Sequence, residues 1–260
     1  IDARPGQESG RSDTMILLTV DANQKTVKLT SFMRDLYVEI PGYKNNRLNA
    51  AYRFGGPELL FETLKENFGI EVDQYVTVNF TMMADLVNQI GGLELDVESD
   101  YIRDRINAVI KMDNKALGID IDTDLLSSSG VQTLNGKQVQ AFARWRTGSS
   151  DFERTQRQRN VLTSLVNKFK NSNIGTINKA LYDCLGLVQT NMTKDEVFFL
   201  AANALTYMNY SMEEHRVPGD DEYYATRVDV GSVLVPYREQ CSESLVEFIF
   251  EGDVPGKSSD

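Results

Sequence analysis

Apolar and polar positions along this chain change period several times, and each change predicts an element. Thr14–Val20 (TMILLTV) is a continuous apolar, β-rich run, and Thr26–Phe32 alternates Val27, Leu29 and Ser31 with Lys28, Thr30 and Phe32. Asp21–Lys25 between them is turn chemistry, so the pair predicts a hairpin. Tyr37–Ile40 predicts a short strand stopped by Pro41-Gly42. From Pro57 the period becomes helical: Leu59, Leu60, Phe61, Leu64 and Phe68 share a face, with Gly55-Gly56 before them and Gly69 after. Gln74–Phe80 reads as a buried strand. Thr81 reads as the cap of a helix carrying Met82, Met83, Leu86, Val87 and Ile90, closed by Gly91-Gly92. Leu93–Val97 alternates as a strand.

The second half follows the same logic. Residues 99–129 are charged and mixed, which predicts a variable insertion with one short helix. Leu134-Asn135-Gly136 introduces a helix to about Ala143, and Ser150 or Asp151 caps a longer one to about Lys170. Further helices are predicted near 175–189 and 194–208. Strands follow at 214–217, 224–230 and 233–235, then a closing helix at 242–250. Strand–helix alternation between Tyr37 and Val97 predicts an α/β layered fold with helices on both faces of a sheet. With no internal repeat and no long linker, residues 1–251 read as one domain and 252–260 as a polar tail.

Composition narrows the function classes. The chain has 260 residues, 41% apolar content and a formal net charge of -11. That acidity argues against a general nucleic-acid binder, which needs a basic face. No apolar run is long enough to span a membrane and no leader is visible, but Ile1-Asp2 opens directly into a loop, so an upstream anchor is expected. The only cysteines, Cys184 and Cys241, exclude a CxxC motif; they allow one disulfide outside a reducing cytosol. A single His215 argues against a His-rich metal site and a Ser-His-Asp hydrolase.

One stretch runs against the global charge. Ala141–Asn160 carries Arg144, Arg146, Arg154, Arg157 and Arg159 with only Asp151 and Glu153 as acids. The planar, permanently charged guanidinium suits bidentate phosphate recognition. Extending the apolar stripe Leu162, Leu165, Val166 and Phe169 backwards by threes and fours reaches Gln158, Arg154 and Asp151, which therefore face the protein. Arg157 flanks that stripe, and Arg159 is expected to face solvent. Arg146 shares a face with Val139 and Phe142 if the preceding helix extends so far. Inward cations serve either a structural ion pair with Asp151 or a bound anion. Near the start, Asp2 precedes a loop that returns through Arg11 to Asp13 beside the first strand. The two acids are either a magnesium site shared with phosphate oxygens or solvated loop acids with an Arg11–Asp13 surface pair. Arg34-Asp35 follows the second strand, where ligands collect in open α/β sheets; Arg34 is either placed to reach a ligand or part of a plain surface ion pair. Lys44–Gly56 adds Arg47, Asn49 and Arg53 without P-loop order.

Taken together, Asp2, Arg11–Thr14 (RSDT), Ser31–Asp35 (SFMRD), Arg47–Tyr52 (RLNAAY) with Gly55-Gly56, and Arg144, Arg146, Asp151, Arg154, Arg157 and Gln158 resemble the LytR-CpsA-Psr family over about residues 1–170. The resemblance implies a three-layer α/β/α sandwich with a central mixed sheet. It implies an extracytoplasmic enzyme, membrane-anchored at its N-terminus, that transfers a glycopolymer such as teichoic acid or capsule from a polyprenyl-pyrophosphate carrier to peptidoglycan. Magnesium, or manganese in its place, would sit on Asp2 and Asp13. The catalytic set implied is Asp13, Arg11 and Asp2; the pyrophosphate set is Arg11, Arg34, Arg144, Arg146, Arg154, Gln158 and, with a less defined contact, Arg157. The prenyl chain would lie in an apolar tunnel, for which Met82, Met83, Leu86 and Val87 are either lining or core. Two departures stand out: Met33 replaces a common Pro, and Arg47 a common Lys. The same clamp would also serve a hydrolase of the carrier or a non-catalytic lipid-carrier binder.

Overall fold

The computed structural model describes residues 12, 14–145, 151–172 and 188–250. The chain divides into two compact units, Ile1–Tyr75 with Asn191–Asp260, and Val76–Thr190.

The first unit is built on the strand pair expected from the sequence. Strand β1 (Met15–Asp21) pairs antiparallel with β2 (Thr26–Phe32) from Met15↔Phe32 to Asp21↔Thr26. The Asp21 carboxylate closes the turn by accepting the Asn23 and Gln24 amides, both at 2.9 Å. Strand β9 (Ser211–Val217) then lies parallel to β2, so the sheet is mixed. All seven residues of β2 are buried. Its alternating pattern predicts one polar face; as the central strand it has both faces covered instead. Lys28 is 1% exposed, and its ammonium donates at 3.3 Å to the Ile249 carbonyl in the last turn of the closing helix, where a cation suits the helix dipole.

Strands β3 (Tyr37–Val38) and β4 (Asn46–Arg47) pair antiparallel and lead directly into helix α1 (Leu48–Phe68). This helix starts earlier than the apolar period suggests. It breaks at Gly55-Gly56, where Gly56 has φ 69°, and resumes with Pro57 as a first-turn residue. Gly69 ends it in the left-handed conformation at φ 70°. Helix α6 (Lys194–Met208), strands β10 (Tyr223–Val228) and β11 (Gly231–Pro236), and helix α7 (Arg238–Phe250) complete the unit. Helix α7 packs on α1 and β9. Cys241 within it is a buried free thiol, pushed up to about 12 by burial with a contribution from Glu222.

In the second unit, β6 (Leu93–Val97) buries Leu93, Leu95 and Val97 and pairs antiparallel with β7 (Gly130–Leu134). Helices α2 (Phe80–Gln89), α3 (Asp100–Leu117) and α5 (Asp151–Lys170) surround α4 (Gly136–Arg144). Three expectations fail here. The predicted strand 74–80 shrinks to β5 (Val76–Thr77), paired only with β8 (Gln189–Thr190), and Val76 is exposed. Asn79, rather than Thr81, caps α2 by accepting the Met82 amide at 2.9 Å. The stretch 99–129 holds an 18-residue helix capped by Ser99, not a short one; its buried stripe of Ile106, Ile110 and Asn114 is narrow and hidden among charges. Helix α4 starts with a capping box of Asn135 and Gln138. Gly136 is obligatory there, because an added Cβ would overlap the Ala84 carbonyl of α2. The mixed α/β class with a mixed sheet is as the sequence predicts. Among the described residues no helix is long and apolar enough to cross a membrane.

Candidate functional site

The sequence-predicted residues divide between the two units, and Asp2, Arg11, Asp13 and Arg146 lie outside the described residues. In the first unit the chain leaves β2 through a tightly held turn. The Met33 amide donates to the Val217 carbonyl at 2.9 Å, continuing the parallel pairing with β9 by one residue. A proline at 33 could not make that bond. Met33 itself is 1% exposed. Met33 thus ties the turn to β9 through a main-chain bond. The Asn49 amide donates to the Arg34 carbonyl at 3.2 Å, and the Leu234 amide to the Asp35 carbonyl at 3.0 Å.

These main-chain bonds place Arg34, Asp35 and Arg47 together. Asp35 takes Arg34 on one carboxylate oxygen at 3.3 Å and Arg47 on the other at 3.4 Å. Arg47 also lies against Gly231, at φ 102°, where an added Cβ would come within 2.6 Å of its terminal nitrogen. Gly231 was not singled out from the sequence, and Asp35 was singled out only beside Arg34, not as a partner of Arg47. The RD pair was legible, but the Arg47 and Gly231 contacts depend on pairing between distant segments.

The second unit holds Arg144, Arg154, Arg157 and Gln158. Arg154 is 2% exposed, as interior as any apolar residue of α5. Arg157 donates through Nε to the Phe142 carbonyl at 3.2 Å and through Nη2 to the Trp145 carbonyl at 2.8 Å. Its guanidinium also lies 4.4 Å from the Trp145 ring centroid. The Gln158 amide nitrogen reaches the Ala143 carbonyl at 3.5 Å. Helix α4 ends at Arg144, so Phe142 and Ala143 are among the carbonyls a helix cannot satisfy internally. Side chains of α5 thus hold the C-terminal end of α4, a role no sequence pattern marks because the acceptors are main chain. Burial depresses the Arg157 pKa, partly offset by Glu153 and Glu98. Arg144 pairs with Asp113 of α3 at 2.8 Å. Among the described residues the buried Gln158 Oε1 and Trp145 Nε1 make no hydrogen bond.

Arg159 corrects an expectation. It is 7% exposed rather than solvent-facing, and its guanidinium donates to the Gln156 side chain. Helix α5 is buried over more than half its circumference near Arg154–Val161, so the apolar stripe marks only part of its covered surface. Helix α4 ends at Arg144, and the expectation for Arg146 lies outside the described residues. Among the described residues no group of three His, Cys, Asp or Glu side chains could hold a metal.

Comparison with known proteins gives a consistent picture. The LytR_cpsA_psr family model matches residues 1–242. The chain is 31% identical over 227 residues to the polyisoprenyl-teichoic acid–peptidoglycan teichoic acid transferase TagV of Bacillus subtilis, covering 85% of this chain and 55% of that protein. It is also 31% identical over 255 residues to the regulatory protein MsrR of Staphylococcus aureus, covering 96% and 72% respectively. The chain thus spans little more than half the length of TagV. A solved structure of the LytR-CPS2A-psr family protein YwtF (TagT) with bound octaprenyl pyrophosphate lipid superposes with a TM-score of 0.69 at 26% identity, covering 92% of this chain and 85% of the other.

Proposed function

The chain belongs to the LytR-CpsA-Psr family, and from that premise we propose that it transfers a phospho-glycopolymer from a polyprenyl-pyrophosphate carrier to peptidoglycan. The polymer class is teichoic acid, capsular or related polysaccharide, and the setting is the extracytoplasmic face of a membrane to which the full-length protein is anchored. TagV carries the transferase name and the TagT structure the prenyl pyrophosphate; both support this reading.

The observation that carries it is the pair of arginine clusters on the family's motif residues. Arg34 is held beside Asp35 where the chain leaves β2, and Arg154 is kept 2% exposed next to Gln158. An interior guanidinium is costly unless it meets anionic or acceptor groups, and phosphate is the ligand its fork fits best. By the family's motifs, Arg11, Arg34, Arg144, Arg146, Arg154, Gln158 and Arg157 are the residues for the pyrophosphate, and Arg157 and Gln158 also hold the end of α4. Asp2 and Asp13, outside the described residues, would offer only oxygen donors, a chemistry that fits magnesium or manganese. When bound, the metal neutralises charge on the phosphate oxygens. A sugar hydroxyl of peptidoglycan attacks the glycopolymer-side phosphorus, the bond to the bridging oxygen breaks, and polyprenyl phosphate leaves. Asp13 accepts the hydroxyl proton. Catalysis is by positioning and charge stabilisation, without a covalent enzyme intermediate.

The test follows a labelled glycopolymer on its prenyl carrier, given with isolated peptidoglycan and magnesium. Label should become covalently attached to peptidoglycan, and Asp13→Ala should abolish transfer while retaining lipid binding. Release of the labelled polymer into water would identify a hydrolase, and lipid binding without turnover a carrier-binding protein.

A further inference from the structure

The first unit also carries two aromatic rings that its core leaves uncovered. Tyr43 and Phe54 are 52% and 39% exposed, yet their rings stack with centroids 4.8 Å apart and 20° between planes. Each ring is anchored separately. Tyr43 lies in the connection between β3 and β4, whose pairing is fixed at Tyr37↔Arg47 and Val38↔Asn46. Its own amide donates to the Ile40 carbonyl at 2.9 Å. Phe54 ends the first segment of α1, immediately before the break at Gly55-Gly56. The result is a preordered, solvent-facing aromatic pair, and exposed apolar surface of that kind marks a binding face.

Its surroundings select the ligand. Lys44 and Arg53, the chain neighbours of Tyr43 and Phe54, are exposed and form no ion pair among the described residues, on a chain whose net charge is -11. Four residues along the chain from Tyr43 stands Arg47, which shares Asp35 with Arg34. Four residues reach at most ~14 Å, so the rings lie within a short oligosaccharide's length of that arginine group.

We infer that Tyr43 and Phe54 form a stacking platform for the acceptor, a β-1,4-linked amino-sugar strand of peptidoglycan. Pyranose rings linked in this way present flat C–H faces, which pack on aromatic rings. Carboxylates on the strand and its peptide stems meet Lys44 and Arg53. This rests on the proposed transfer reaction and adds to it a place for the acceptor near Arg34.

The test titrates the full chain with soluble, uncrosslinked peptidoglycan glycan strands, observed by calorimetry and by the NMR shifts of the tyrosine rings. Intact protein should bind with a shift at Tyr43. Tyr43→Ala and Phe54→Ala should each weaken binding about tenfold, a factor that corresponds to about 1.4 kcal/mol, with unchanged unfolding midpoints. Tyr43→Trp should restore binding. Equal affinity in the alanine variants, or no binding by the intact chain, overturns the inference. So does a loss confined to the sugars of the prenyl-linked donor, which would assign the platform to that substrate. Intact protein is titrated with a prenyl pyrophosphate in parallel. Lipid binding without strand binding leaves the transfer reading standing and sinks the platform. Tyr43-dependent strand binding without lipid binding does the reverse.

Discussion

Arginine is used in two different ways in the two units. In the second, Arg157 spends its donors on the main-chain carbonyls of Phe142 and Trp145 and its face on the Trp145 ring. In the first, Arg34 and Arg47 are both partly exposed and share one carboxylate, Asp35. The first use fixes architecture, because buried carbonyls left without donors are expensive. The second leaves two partly exposed arginine side chains on one buried carboxylate. Residue type alone therefore does not say what an arginine does in the fold; the acceptor each one meets does.

The comparison is most easily broken at Arg157. Arg157→Ala strands two buried carbonyls and opens the Trp145 ring, and should lower unfolding free energy by about 2–4 kcal/mol in urea. Arg157→Lys should recover only part, since an ammonium cannot fork or stack in the same way. A loss no larger than that of a surface arginine would end the distinction. Next in size is Gly231→Ala, which forces a Cβ into the Arg47 guanidinium at positive φ and should cost about 1–3 kcal/mol, read from the thermal midpoint. Arg47→Ala itself, on a pair at 3.4 Å with a 25% exposed side chain, should cost no more than about 1 kcal/mol. The smallest effect lies outside both clusters. His215 stacks on Phe248 at 4.9 Å, and its pKa is depressed by burial, with Glu222 opposing and Arg216 assisting. The folded state therefore binds fewer protons than the unfolded chain just below the ordinary histidine pKa. Stability should be complete above about pH 6.5 and decline as pH falls through the depressed value. His215→Gln should flatten that part of the profile in pH-dependent unfolding.

Much of this was visible in the sequence where one period dominated a segment. Strand β6, helix α6 and the β1–β2 hairpin fall where alternation, helical spacing and turn residues place them. Helix α3 was obscured because its core contact is a narrow stripe in a charged segment. Gln74–Phe80 misled in the opposite direction: β-rich residues do not make a long strand when the partner, β8, offers only two residues. At the site, helical phase correctly turned Arg154 and Gln158 inward. It failed for Arg159, because phase finds the centre of a buried face but not its width. The carbonyl grip of Arg157 was illegible, since main-chain acceptors leave no mark in side-chain order. Asp35 was legible as a neighbour of Arg34, but not as the group that joins it to Arg47.

The central claim is that the chain binds a polyprenyl pyrophosphate through arginines of the family's motifs, Arg34 and Arg154 among them. Its most direct measurement is the affinity of the full chain for a polyprenyl pyrophosphate with magnesium, compared among intact protein, Arg34→Gln and Arg154→Lys. Both variants should bind at least about tenfold more weakly while unfolding near the intact midpoint. Affinities equal to that of the intact protein in both variants would contradict the account.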